Sequence, residues 1–143
     1  MHDSRLTNAW WALRLTFGLV PIVAGLDKFT NLLADWEAYL SPLATAILPV
    51  SAGTFMGIVG IIEVAAGALV LASPRHGAYV VAAWLVAIAL NLLTTGRFLD
   101  VAARDLALAV GAFALAKLSE ARSDATERSP APVGSDRAAH APA

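Results

Sequence analysis

From Thr54 to Leu71 the chain reads TFMGIVGIIEVAAGALVL, eighteen residues that are apolar except for Glu63 near the middle. A continuous apolar run of about this length is what a bilayer-crossing helix requires. A run from Ala9 opens on Trp10 and Trp11, contains Arg14 and Pro21, and stops at Asp27-Lys28. Tryptophans at such a position suit an interfacial belt, and a proline inside a membrane helix suggests a kink. A further run starts at Gly77 or Ala78, and the last, rich in Ala, Leu, Val and Gly, follows Arg104-Asp105. The pattern predicts an all-α fold: an integral membrane four-helix bundle with spans over about 9–27, 54–72, 77–95 and 101–118.

Between the first two spans, Phe29, Leu32, Leu33, Trp36 and Leu40 recur at helical spacing, with Asn31, Asp35 and Glu37 between them. This predicts an amphipathic surface helix, stopped by Pro42. Ala44 to Val50 is apolar but too short to span, and reads as interfacial or re-entrant. Gly53-x-x-x-Gly57 has a small-residue spacing that permits close helix approach. Ser73 to Gly77 reads as a tight loop and Gly96 to Ala103 as a connector. Beyond Ser119 the composition turns to Ser, Ala, Pro and charge. The folded domain is therefore expected over 5–120, with a disordered tail over 121–143.

Composition agrees with a membrane class: 58% of the 143 residues are hydrophobic, 15% are charged, and the mean hydropathy is +0.66. A net charge of −1 argues against nucleic-acid binding. The absence of cysteine excludes disulfide exchange, iron–sulfur clusters and cysteine-ligated zinc. His2, His76 and His140 lie outside the predicted spans, so none is placed to hold a haem within the bilayer. No nucleophile–base pair or metal-ligand cluster is visible, so a stand-alone enzyme is not expected. Arg5, Arg75, Lys117 and Arg122 flank one end of the spans, against Lys28, Arg97 and Arg104 at the other. That bias predicts a multi-pass protein of the cell membrane with both termini cytoplasmic.

The candidate chemistry is in the spans. Arg14, Asp27, Lys28, Glu63, Asp100, Arg104 and Asp105 are ionisable groups within or at the ends of apolar runs, and Asn91 adds an amide. A carboxylate at the bilayer centre costs roughly 3 kcal/mol on insertion scales, so Glu63 needs a partner. Arg14 is the expected one, at a depth roughly 6 to 8 Å away, with Arg104 able to reach from the other side. Functionally, Arg14, Lys28, Glu63, Asn91, Arg104 and Asp105 would form a buried polar pocket for a quinone headgroup, a proton or a small ligand. More simply, they are paired charges that set helix register, with Asp27, Lys28, Arg97 and Asp100 marking an interface and Asn91 bridging helices.

Arg14, Gly18, Gly25 and Lys28 along the first span, Glu63 and Gly67 in the second, and Arg104-Asp105 opening the fourth resemble the DoxX family of small four-helix membrane proteins. The most specific piece is Ala24-Gly25-Leu26-Asp27-Lys28-Phe29, and the resemblance covers residues 9 to 120. It implies a four-span bundle associated with quinol oxidase or thiosulfate:quinone oxidoreductase systems. The expected role is an accessory or anchor subunit beside a redox enzyme, with quinone as the cofactor in view. Without cysteines or membrane histidines, redox chemistry would need that partner or a bound quinone. A small proton-coupled transporter using Glu63 and a non-catalytic scaffold are the alternatives. The expected partners are the lipid bilayer, a redox subunit and a second copy of the chain.

Overall fold

The computed structural model describes residues 4–47 and 49–128, which are mostly helical. The helices are α1 (Ser4–Asp27), α2 (Pro42–Ile47), α3 (Ala52–Ala72), α4 (Pro74–Thr95) and α5 (Leu99–Glu127). At 1.5 Å per residue, α1, α3 and α4 run about 32 to 36 Å, enough for a hydrocarbon core of ~30 Å. These three are long and apolar enough to cross a membrane. Helix α5 is longer but carries Arg104 and Asp105 toward one end and Lys117 and Glu120 toward the other. Its charge-free stretch is Leu106–Ala116.

Neighbouring long helices are antiparallel. α1 packs along α3, α3 along α4 and α4 along α5, with a smaller contact from α1 to α5. The α1–α3 contact is backbone to backbone. A methyl group at Gly25 would sit 2.5 Å from the Gly60 carbonyl oxygen, and one at Gly60 2.6 Å from that of Gly25. A methyl at Gly67 would collide with the Gly18 carbonyl. The close approach is therefore made by glycines seven residues apart on each helix. Gly53 and Gly57 do not make it: a methyl at Gly57 would lie an ordinary 3.6 Å from the Phe29 ring, and one at Gly53 would meet only Glu37.

The inward faces repeat every three or four residues, as a buried helical stripe must. Met56, Val59, Glu63, Ala66 and Val70 face inward on α3, and Ala102, Asp105, Ala109, Ala112 and Ala116 on α5. Two apolar clusters result. Trp10, Phe17, Val70, Val81 and Leu115 lie toward the end holding Ser73; Ala89, Leu92 and Ala102 lie toward the end holding Asp27. The outward faces are apolar too. Leu19 and Val23 on α1, Ile58 and Ile61 on α3, Leu90 on α4 and Val110 on α5 are all exposed. In water such continuous apolar surface is not left uncovered.

Several connections depart from expectation. Phe29–Leu40 is not an amphipathic helix: after a turn it holds only a short 3-10 segment, Trp36–Tyr39. Asp27 is the reason. Its carboxylate accepts from the backbone N–H of Leu32 and of Leu33, from the Thr30 hydroxyl and from the Trp36 indole, at 2.7 to 3.0 Å. Each bond draws the chain back on itself, and Asn31 takes a positive φ of 51° within that turn. Of the residues expected on a buried stripe, Phe29, Leu32 and Leu33 are left outward, Leu32 at 83% exposure, while Leu40 is buried. Pro42 begins a helix rather than ending one. Ser41 caps α2 by accepting from Ala44 N at 3.1 Å, and proline suits the first helical position because its missing N–H would be unsatisfied there anyway. Ser73–Gly77 is not a loop either, since Pro74 opens α4 directly after Ser73. Gly77 permits this by lying against the Val70 backbone. Residues 121–127, expected in the tail, extend α5. There Arg122 stacks over Trp10 at 4.5 Å and donates to Thr7, tying the extension to α1. The rest of the expected tail, from residue 129, lies outside the described residues.

Gly67→Ala is expected to destabilise the protein in detergent by about 1–3 kcal/mol through overpacking. Gly57→Ala, where space exists, should be neutral or stabilising by up to about 1 kcal/mol from helix propensity. Thermal unfolding of both variants tests the assignment, and equal effects would contradict it.

Candidate functional site

Glu63 is buried on the inward face of α3 and its partner is Lys28. Lys28 Nζ lies 2.6 Å from Glu63 Oε2, with side-chain exposures of 4% and 7%. The Trp36 ring covers the ammonium, 3.7 Å from Nζ to the ring centre. The same indole donates through Nε1 to Asp27 at 2.7 Å. Asp27, Lys28, Trp36 and Glu63 thus form one connected unit, in which the loop's tryptophan closes over a buried ion pair.

The expected Arg14–Glu63 pair is not made, and helix geometry explains why. With Gly25 opposite Gly60 and Gly18 opposite Gly67, Arg14 comes level with Leu71, two helical turns or ~12 Å from Glu63. Side chains also lean toward the N-terminus of their own helix. In an antiparallel pair this tilts Lys28 and Glu63 toward each other and Arg14 away. Arg14 instead donates to the Leu71 carbonyl, one of the last carbonyls of α3, which lack donors within the helix. A cation there also complements the negative end of the helix dipole. Its guanidinium lies 5.0 and 4.9 Å from the Trp10 and Trp11 ring centres.

The remaining predicted residues divide. Asn91 bridges, but to the loop: its amide donates to the Tyr39 carbonyl at 2.8 Å and accepts from Ser41 N at 3.3 Å. Tyr39 packs against Phe98 with tilted rings, 4.6 Å between their centres, so the loop is fastened where α4 ends and α5 begins. Arg104 does not reach Glu63. It pairs with its neighbour Asp105 at 3.3 Å, with the arginine side chain 64% exposed and the carboxylate 8%. The structure therefore brings Lys28 and Glu63 together, and Arg104 with Asp105, while Arg14 and Asn91 serve other contacts.

Asp27, read from the sequence as an interface charge, and Trp36 are the two members of this unit outside the expected polar pocket. Asp27 had a readable signal, an aspartate followed three residues later by a threonine where a helix stops, a pattern favourable to side-chain-stabilised turns. Trp36 had none, because its place over Lys28 depends on that turn.

Among the described residues, two buried side-chain donors have no hydrogen-bond partner, Arg14 Nε and Trp84 Nε1. Trp84 lies midway along α4. Counted from the Ser73 turn it is at the same depth as Glu63, to within about 1.5 Å. No group of three or more potential metal ligands occurs among the described residues.

Removing one member of the buried pair leaves an uncompensated charge, expected to cost about 3–5 kcal/mol, whereas replacing both with apolar residues should recover much of the loss. Lys28→Met and Glu63→Met should be strongly non-additive in a thermal-stability cycle, and Arg14→Gln with Glu63→Gln additive. Asp27→Asn should leave the helices intact but speed amide exchange at Leu32 and Leu33. Unchanged exchange would show that the carboxylate does not hold the loop.

No family model, curated protein or solved structure matches this chain.

Proposed function

We propose that the chain is a four-span helical bundle of the cell membrane with both termini cytoplasmic, and a DoxX-like accessory or anchor subunit of a quinone-linked oxidoreductase system. The observation that carries this reading is the buried Lys28–Glu63 pair, held within helices whose outer surfaces are apolar and exposed. Lipid is the solvent that such surfaces fit. A closed ion pair is a fixed element of architecture. A proton-carrying transporter would need Glu63 to exchange partners through its cycle, and Glu63 is already committed to Lys28, whose ammonium Trp36 covers.

The fourth span is α5. Its short charge-free stretch is compensated by where its charges go: Asp105 turns inward, and Arg104 and Lys117 are long side chains able to snorkel toward the two interfaces. Leu106, Val110 and Phe113 present an apolar outer face. Support for quinone comes from Trp84. Its buried indole N–H has no acceptor, and a quinone carbonyl is an acceptor that can enter from lipid. That single donor can orient a headgroup, and the electron transfer would belong to the quinone and a partner enzyme.

The test is purification in mild detergent, organic extraction and identification of quinone by mass spectrometry. Quinone should co-purify with the wild-type chain. Trp84→Phe keeps the ring and removes the donor, and should reduce retention by roughly 5- to 30-fold, the equivalent of one lost hydrogen bond of about 1–2 kcal/mol. Equal retention in the variant would contradict the assignment to Trp84, and absence of quinone from both would contradict the quinone reading itself.

A further inference from the structure

At the end opposite the Lys28–Glu63 pair, a cleft of about 430 Å³ opens between α1, the α3–α4 turn and the last turns of α5. Trp10 lines it from α1, Arg75 and His76 from the start of α4, and Arg122, Ser123 and Thr126 from α5. Nothing in the proposed role of the buried pair uses this cleft. We propose that it binds an anionic phosphate group, as presented by the headgroup of an anionic phospholipid.

The chemistry of the wall favours such a group. Glu127 is the one acid among the lining residues, against Arg75, Arg122 and His76. Glu120 stands nearby but is engaged. Tyr79 donates to it at 2.9 Å and Lys117 at 2.7 Å. These hydrogen bonds, the lysine's foremost, hold its carboxyl below the ordinary range. Arg75 is left with a loose approach to Glu120, 3.7 Å from its Nε, and an exposed side chain. Arg122 is fixed differently. Its guanidinium lies over Trp10 at 4.5 Å, and Nη1 donates to Thr7 at 3.3 Å. A stacked guanidinium held by one nitrogen keeps its other donors in a planar fork, the geometry that suits phosphate oxygens.

Two further features point the same way. Ser73 Oγ lies 2.9 Å from His76 Nδ1. When the hydroxyl donates, the ring proton is on Nε2, and the imidazole adds a donor. The Ser73 side chain makes no cap bond to α4, which leaves first-turn N–H groups of that helix as further donors at the cleft. In the membrane reading, on which the lipid source rests, this end of the spans lies at headgroup depth. The arginines would then meet the phosphate.

The experiment uses the full chain in neutral detergent, with short-chain phosphatidylglycerol, short-chain phosphatidylcholine or inorganic phosphate added, and reads the thermal unfolding midpoint. Phosphatidylglycerol should raise the midpoint and phosphatidylcholine should not. Arg75→Gln and Arg122→Gln should each remove most of that rise, while Lys117→Gln, a nearby cation outside the cleft, should retain it. If Arg122→Gln fails to fold, Arg75→Gln and His76→Gln decide, because both positions are exposed. A rise with inorganic phosphate alone would support the site and identify the free ion as its source; a rise with phosphatidylglycerol only identifies the lipid. Equal responses to both lipids without a response to phosphate, an unchanged response in Arg75→Gln, or an equal loss in Lys117→Gln would overturn the proposal. Failure of the wild-type chain to partition into vesicles would overturn the membrane reading instead, and the phosphate arm would still decide the cleft.

Discussion

Backbone contact between α1 and α3 is the constraint on which the other interactions depend. Gly18 and Gly25 face Gly67 and Gly60, each so close that a methyl group at any of them would meet the opposing helix. Such contact allows the helices little freedom to slide. Once the register is set, the depth of every charge on these two helices is set as well. Lys28 and Glu63 lean into one another, and Arg14 is carried to the carbonyl end of α3. A one-turn slip would part the pair and leave a buried carboxylate without its cation.

The buried polar groups then follow one rule: each finds a partner within the fold, because apolar surroundings supply none. Glu63 takes Lys28; Asp27 takes two backbone amides, a hydroxyl and an indole; Arg14 takes a helix-terminal carbonyl; Ser119 accepts from Trp10. These assignments also shape the connections. The loop after α1 is a tethered turn because the Asp27 carboxylate collects its N–H groups, and that turn brings Trp36 over Lys28. The ion pair and the loop that roofs it are therefore one structure. Trp84 Nε1 and Arg14 Nε, the two buried donors left over among the described residues, are the exceptions to the rule, and the first of them motivates the quinone proposal.

The helices themselves were legible along the chain. The apolar runs ending at Asp27, at Ala72 and at Thr95 correspond to α1, α3 and α4, because an apolar segment of that length has few other ways to satisfy its backbone. That Glu63 must have a partner was legible too, from the cost of an isolated carboxylate. The identity of the partner was not. Depth along the spans pointed to Arg14 or Arg104 and left Lys28 as an interface charge, whereas the pairing turned on a register made by glycines on two helices separated by a long connection. Periodicity also misread Phe29–Leu40, since spacing records which residues could share a helical face and not whether a neighbouring carboxylate will claim their backbone amides.

The sequence by itself determined the long apolar segments that are helical and the buried carboxylate that had to be neutralised. These are local properties, carried by residue type and spacing. Tertiary structure alone decided which charge meets which. That choice depends on relative depth and side-chain tilt across antiparallel helices, set where the Gly25 and Gly60 backbones touch, a contact between residues far apart in the chain.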